Sequence, residues 1–310
     1  MFSDDSRIAS YEFAGLKGRY IKIEAKNPKN KRVFLVIYGQ HASIERCMAL
    51  CSALSNFGMV YLVDNPGFGG MDASYKIGRE PTLDFYAEHI KNVFDNVLPK
   101  NKKITIFAIS FGLEIITKFL DSYPGYFSNI EDVVSFVGFV SLHDLHISSK
   151  LENLLKFVAA GARTRAGSWL YRNIVFQDIF VRPFYIISAR NNPKFANLSA
   201  KERRYNAKEQ SWLWRTNDVR THAKTAWDFL FVTDLTNLRI NFPIIHVGVP
   251  RDHLLDNRLV LAGLKKIYSS VNSIELDLPS HAPISLDTEE EVMAIVPDSL
   301  AKILTKSDNT

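Results

Sequence analysis

Two kinds of apolar run alternate along the chain. RVFLVIYG, MVYLV and KITIFAI are short, continuous and rich in β-branched residues, the pattern of strands buried on both faces. RYIKIEAKN alternates apolar and polar positions, like a strand with one wet face. Between them, SIERCMALCSALSNFG and PTLDFYAEHIKNVFDNVL carry apolar residues at helical spacing; Gly58 is a natural stop for the first, and Pro81 opens the second. LEIITKFL, after KITIFAIS, is a further helix of the same kind. A βαβαβα series predicts parallel strands with crossover helices, an α/β fold whose sheet is covered on both faces.

The strand pattern continues through DVVSFVGFVSL, lapses, and resumes at FPIIHVGVPRD and NSIELDLPSH. The lapse, residues 145–239, contains NLLKFVAAGARTRAGSWLYRNIVFQ and KERRYNAKEQSWLWRTNDVRTHAKTAWDFLF, with helical spacing and no long apolar β run. It reads as a mainly helical cap inserted into a core built from residues 1–144 and 240–310.

Composition adds three points. With 310 residues, 46% of them hydrophobic, the chain can bury a substantial core, and no internal repeat or low-complexity tract interrupts it. The net charge of +5 is uneven: residues 145–239 hold 16 Lys and Arg against 7 Asp and Glu, a net of +9, leaving 22 against 26 elsewhere, a net of −4. The basic excess thus belongs to the cap. Its aromatics and arginines suit either a packed core with solvated charges or a face that attracts an anionic substrate or membrane surface. Base stacking is a further possibility for such a composition, but no nucleic-acid module is recognisable and no nucleic-acid partner is expected.

The opening MFSDDSRIAS lacks a basic segment followed by an apolar one, and no window reaches about 18 consecutive apolar residues, so a cytoplasmic protein without integral membrane segments is expected. Cys47 and Cys51, four apart on a helix, read as buried thiols of a reducing compartment. The histidines and cysteines have no metal-ligand spacing. The glycines of DNPGFGGMD form neither phosphate-binding fingerprint, so neither a metal nor a cofactor is expected.

The candidate chemistry centres on FAISFGLE. Ser110 falls on the junction between a buried strand and a helix, with Ala108 and Gly112 two residues before and after it. A serine there is either a helix cap or a nucleophile on a sharp turn that tolerates only small neighbours. The segment resembles the nucleophile elbow, G-x-S-x-G, of the α/β-hydrolase superfamily, with alanine for the first glycine.

The resemblance implies more. Tyr38-Gly39-Gln40-His41 ends an earlier strand where relatives often carry His-Gly, so the backbone N–H groups of Gln40 and Phe111 would form the oxyanion hole, with Tyr38 departing from the pattern. Asp252, after the strand FPIIHVG, matches the superfamily's acid, with Asp256 and Asp144 as alternatives. His281 follows another strand, 29 residues beyond Asp252, and the order serine, acid, histidine is that of the superfamily. DNPGFGG resembles its structural D-x-x-G-x-G turn. The likeness covers roughly residues 11–143 and 241–305.

What it implies is an α/β-hydrolase fold with a cap, and hydrolysis of an ester or thioester of a small-molecule acyl substrate through a serine acyl-enzyme. A peptidase, a carbon–carbon bond hydrolase and a non-catalytic ligand-binding protein on the same scaffold are the alternatives. Epoxide hydrolases and haloalkane dehalogenases of the superfamily carry aspartate at the elbow, whereas this chain has Ser110.

Overall fold

In the computed structural model, which describes residues 7–191, 199–278 and 288–305, the eight strands of one sheet are β1 Ile8–Phe13, β2 Leu16–Ile23, β3 Arg32–Ile37, β4 Gly58–Val63, β5 Ile104–Ile109, β6 Ile130–Phe136, β7 Ile240–Gly248 and β8 Tyr268–Glu275. Their spatial order is β1-β2-β4-β3-β5-β6-β7-β8. All pairings from β4 to β8 are parallel, and the β1–β2 and β2–β4 pairings are antiparallel. The continuous apolar runs became the central strands because both their faces are covered: Val33 to Ile37 and Ile104 to Ala108 are buried throughout. β1 was not expected from its mixed pattern. It is held as a hairpin arm by the Ala14-Gly15 turn, both residues at positive φ, as tight hairpin turns require.

Topology sets the helix positions. The chain steps from β3 through α1 (Met48–Leu54) to β4 in one direction, and from β5 through α3 (Gly112–Ser122) to β6 in the other. Right-handed crossovers in opposite directions put α1 and α3 on opposite faces. α2 (Leu83–Asn96) carries the chain from β4 to β5 and packs beside α3, with Phe94 stacked on Phe119 at 5.2 Å. α9 (Asn257–Ile267) joins β7 to β8. α10 (Glu289–Ile295) packs on α1, and α11 (Asp298–Thr305) follows it. Gly58, expected to stop the helix before it, instead opens β4. α1 ends at Leu54, and a side chain at position 58 would collide with the Arg32 carbonyl across the β3–β4 pair.

The insertion between β6 and β7 is helical: α4 (Ser149–Ala162), α5 (Arg165–Leu170), a π-helical turn (Tyr171–Val175), α6 (Asp178–Asn191), α7 (Ala200–Thr216) and α8 (Val219–Phe231). Among the described residues no helix is long and apolar enough to cross a membrane.

Candidate active site

The strand order reverses between β3 and β5. Loops leaving their carboxyl ends diverge there and open a crevice, the place where open α/β sheets bind ligands. Three non-glycine residues at this edge have positive φ: His41 after β3 (56°), Ser110 after β5 (51°) and Val137 after β6 (44°). Each such residue costs of order 1–3 kcal/mol, and such strain gathers at functional sites. All three line the same cavity.

The local sequence accounts for the turn at Ser110. Its N–H donates to the Phe136 carbonyl at 3.0 Å, pinning it to the next strand, and its carbonyl accepts from Leu113 at 2.9 Å as α3 begins. A side chain at Gly112 would lie 2.5 Å from the Ile37 carbonyl, and one at Gly39 would lie 3.0 Å from Ser110 Cβ. The two glycines let the start of α3 and the loop after β3 close on the serine. Gln40 and Phe111 line the cavity beside it. Among the described residues, the backbone N–H of neither donates to another backbone group. The Gln40 side chain turns instead toward α8, donating to the His222 carbonyl at 2.8 Å and to Thr225 Oγ1 at 2.7 Å.

Tyr38, the departure from the family pattern, is fully buried, and its hydroxyl donates to Asp64 Oδ1 at 2.9 Å while accepting from the Asn65 N–H at 2.9 Å. Asp64 also accepts from the Ile44 N–H at 3.1 Å and from Arg19 Nε and Nη2 at 2.9 and 2.7 Å, and Arg19 in turn holds Glu45. Tyr38 therefore braces the end of β3 against the turn after β4. That glycine-rich turn is a seat for the cap: the Gly69 N–H donates to Asn217 Oδ1 at 2.8 Å, and the Asp218 N–H to the Gly67 carbonyl at 2.8 Å. A side chain at Gly67 would lie 2.6 Å from Thr221 on α8.

The three candidate acids share one neighbourhood. The Asp256 N–H donates to the Asp144 carbonyl at 2.8 Å, and the His146 N–H to the Leu254 carbonyl at 2.8 Å, joining the loops after β6 and β7. Asp256 caps α9, accepting from the Arg258 and Leu259 N–H groups; these bonds, Arg258 first, hold its carboxyl below the usual range. Asp144 is buried, and its Oδ2 accepts from the Val140 and Ser141 N–H groups at 2.9 and 3.0 Å; burial raises its pKa against those bonds. Asp252 is buried, its Oδ1 accepting from Leu254 at 2.8 Å and Leu255 at 3.2 Å. His281 lies outside the described residues. Leu276, five positions before it, lines the cavity that contains Ser110, and its N–H donates to the Gly248 carbonyl at 2.9 Å.

The cavity, about 470 Å³, extends from Ser110 along the α1 face of the sheet. Sequence reasoning missed the polar cluster at its mouth, where His41 from the β3 loop meets Trp214 of α7 at 4.2 Å and His222 of α8 at 5.1 Å between ring centroids. Burial keeps both imidazoles neutral, His222 at about 4. No local signal could have joined residues from three separate segments. Equally hidden was Glu114, in the first turn of α3: it is buried, neither carboxyl oxygen has a hydrogen bond, and burial, then Asp144 and Asp228, raise its pKa well above the ordinary value. Among the described residues no cluster of His, Cys, Asp or Glu could hold a metal ion.

No protein-family profile matches the sequence, and no curated protein matches it. Solved structures do match in shape. The epoxide hydrolase CorEH, solved without ligand, superposes with a TM-score of 0.67 at 12% identity, over 96% of this chain and 97% of that one. A hydrolase from Pseudomonas aeruginosa PA01 gives 0.67 at 12% identity, over 98% and 100%. The enol-lactonase from Burkholderia xenovorans LB400 gives 0.66 at 13% identity, over 96% and 100%. The chain therefore has the α/β-hydrolase fold, with a helical insertion after β6.

Proposed function

We propose that this protein is a serine hydrolase that cleaves an ester or thioester through an acyl-enzyme. Ser110 Oγ attacks the carbonyl carbon while the imidazole of His281 takes its proton, and Asp252 holds that imidazole in the right tautomer. The negative charge on the carbonyl oxygen meets the Gln40 and Phe111 N–H groups and the amino end of α3. The carbon–oxygen or carbon–sulfur bond breaks, and the leaving group collects the proton from His281. Water, deprotonated by the same imidazole, then releases the acid and restores Ser110.

The observation that carries this reading is Ser110 itself. It is a non-glycine residue held at a φ of 51° where the strand order reverses, at the wall of a cavity that Gln40 and Phe111 also line. A helix cap needs none of that strain. Asp252 is preferred to Asp256 and Asp144 for its place in the loop after β7, where the resemblance puts the acid; backbone N–H groups of its own loop bind its Oδ1 as they do the carboxylates of the other two. Epoxide opening is not proposed, since Ser110 stands where that chemistry in this superfamily uses aspartate. Arg46 lines the cavity and has no ion pair among the described residues, which favours an acyl substrate with an anionic group.

A fluorophosphonate probe tests the reading. It is expected to label the wild-type protein at Ser110 and to leave Ser110→Ala unlabelled, with His281→Ala cutting labelling by a factor of about a hundred or more. Labelling of Ser110→Ala equal to wild type would remove Ser110 as the nucleophile, and no labelling of the wild type would leave a ligand-binding protein on a hydrolase scaffold. Comparing neutral with anionic esters across a salt series checks the role of Arg46; equal rates and no salt response remove it.

A further inference from the structure

The cavity does not end beneath the cap. Below Ser110 it follows the face of the sheet covered by α1, α10 and α11, passing Phe107 on β5, Ala53 and Leu54 on α1, and Val296 and Leu300 at the C-terminal helices. Phe57, which precedes the first residue of β4, also lines it. β4 starts at the amino edge of the sheet, whereas Ser110 sits at the carboxyl edge. The space thus runs the depth of the sheet. Its polar side chains, Tyr38, Gln40, His41, Arg46 and Gln210 with Ser110, come from the segment between β3 and α1, the turn after β5 and the cap, while the lower wall is apolar apart from the Cys47 thiol, which burial pushes up to about 12 and keeps neutral.

An apolar-walled space of this size is unusual in a close-packed interior and is characteristic of a ligand pocket. The contents must be apolar below the mouth and able to follow a strand's length. We infer that this tunnel takes the linear acyl chain of the substrate, making the protein a hydrolase of medium-chain acyl esters or thioesters rather than of acetyl, aryl or lactone substrates. At about 30 Å³ for each water-sized group, 470 Å³ holds roughly sixteen chain atoms, of which the mouth uses several. The optimum chain therefore falls between octanoyl and dodecanoyl. The inference rests on the serine-hydrolase reading for its catalytic half and on the cavity alone for its binding half.

Two measurements separate those halves. In the first, kcat/KM is measured on p-nitrophenyl esters from acetate to hexadecanoate. Each added methylene is expected to raise it about fourfold until the tunnel is full, the gain from moving a methylene out of water, and the value is expected to fall for hexadecanoate. Ala53→Phe and, independently, Val296→Phe place a ring in the lower tunnel. Each is expected to cut the decanoate value about sixtyfold or more, equivalent to about three or more lost methylenes, while acetate stays near wild type and the thermal melt shows a folded protein.

In the second, Ser110→Ala is titrated with dansyl-undecanoic acid. Binding that decanoate displaces, and that adding Ala53→Phe abolishes, is the expected result. Saturable binding without hydrolysis of any ester by the wild type would keep the tunnel and overturn the hydrolase reading. Hydrolysis that peaks at acetate, with no dansyl-undecanoic acid bound, would overturn the tunnel and keep the hydrolase. An octanoate-to-dodecanoate optimum unmoved by both phenylalanine variants would also overturn it.

Discussion

Ser110 shows how much a single residue's geometry can carry. Its Cβ stands in a backbone region that glycine occupies freely and other L-residues enter at a cost of roughly 1–2 kcal/mol. Ser110→Ala and Ser110→Gly both remove the hydroxyl, but only glycine relieves the backbone. Ser110→Gly is expected to be more stable than Ser110→Ala by roughly 1 kcal/mol in denaturant unfolding, after allowing for glycine's greater entropy loss. A Ser110→Gly less stable than Ser110→Ala, by glycine's entropy cost alone, would show that the turn stores no strain at this residue. Gly112 is the opposite case: there the constraint is space, since the Ile37 carbonyl occupies the position a side chain would need. Both requirements could be read from the letters, because a small-x-Ser-x-small pattern between a strand run and a helix run encodes them locally. The service of Tyr38 could not. Its hydroxyl finds Asp64 across 26 positions, and nothing near either residue announces the bond.

Between elements, the decisive contact is the one that seats the cap on the sheet. The junction of α7 and α8 is fixed to the turn after β4 through Asn217 and Asp218, and α8 holds Gln40 beside Ser110. Cap position and oxyanion loop are therefore coupled through one helix. Asn217→Ala leaves the buried Gly69 N–H without its acceptor, at a cost of about 1–3 kcal/mol. The expected outcome is faster limited proteolysis within residues 145–239 while the core fragment survives. Unchanged cleavage in the cap would mean that the seat lies elsewhere. The cap's aromatics divide in a way composition could not foresee: Phe176 stacks on Trp214 at 3.9 Å, whereas Trp169 and Phe180 are exposed. Arg163 lies over Trp227 and Arg220 over Tyr75, so these two basic residues pack rather than simply face water.

For the whole molecule, buried titratable groups set the pH range of stability. Burial lowers His89 to about 3 and His246 to about 4, against about 6.5 in an unfolded chain. A lowered imidazole contributes full stability above the unfolded value and loses it as pH falls toward the folded one, by up to about 1.4 kcal/mol per pH unit for each group. Glu114 acts in the other direction: its raised pKa gives stability that is present in acid and lost as pH rises through the folded value. Denaturant unfolding of the wild type is expected to weaken between about pH 6.5 and 4, more steeply than that of His246→Asn. Glu114→Gln is expected to hold its stability better than wild type on the alkaline side. Parallel pH curves for wild type and both variants would remove these groups from the account.

The division between sequence and tertiary structure follows from the range of the forces involved. Periodicity, glycine placement and the strand-to-helix junction at Ser110 are local, since they depend on neighbours within a turn or a strand. From them came the parallel sheet, the helical insertion and the serine on its bend, whereas the short edge strand β1, whose pattern is mixed, escaped. The meeting of Asp144, Asp252 and Asp256, the His41–Trp214–His222 cluster, the cap seat and the tunnel between α1 and α11 depend on packing of segments far apart in the chain. Such contacts arise only when layers close on one another, because burial rewards any apolar surface and leaves the choice of partner to shape.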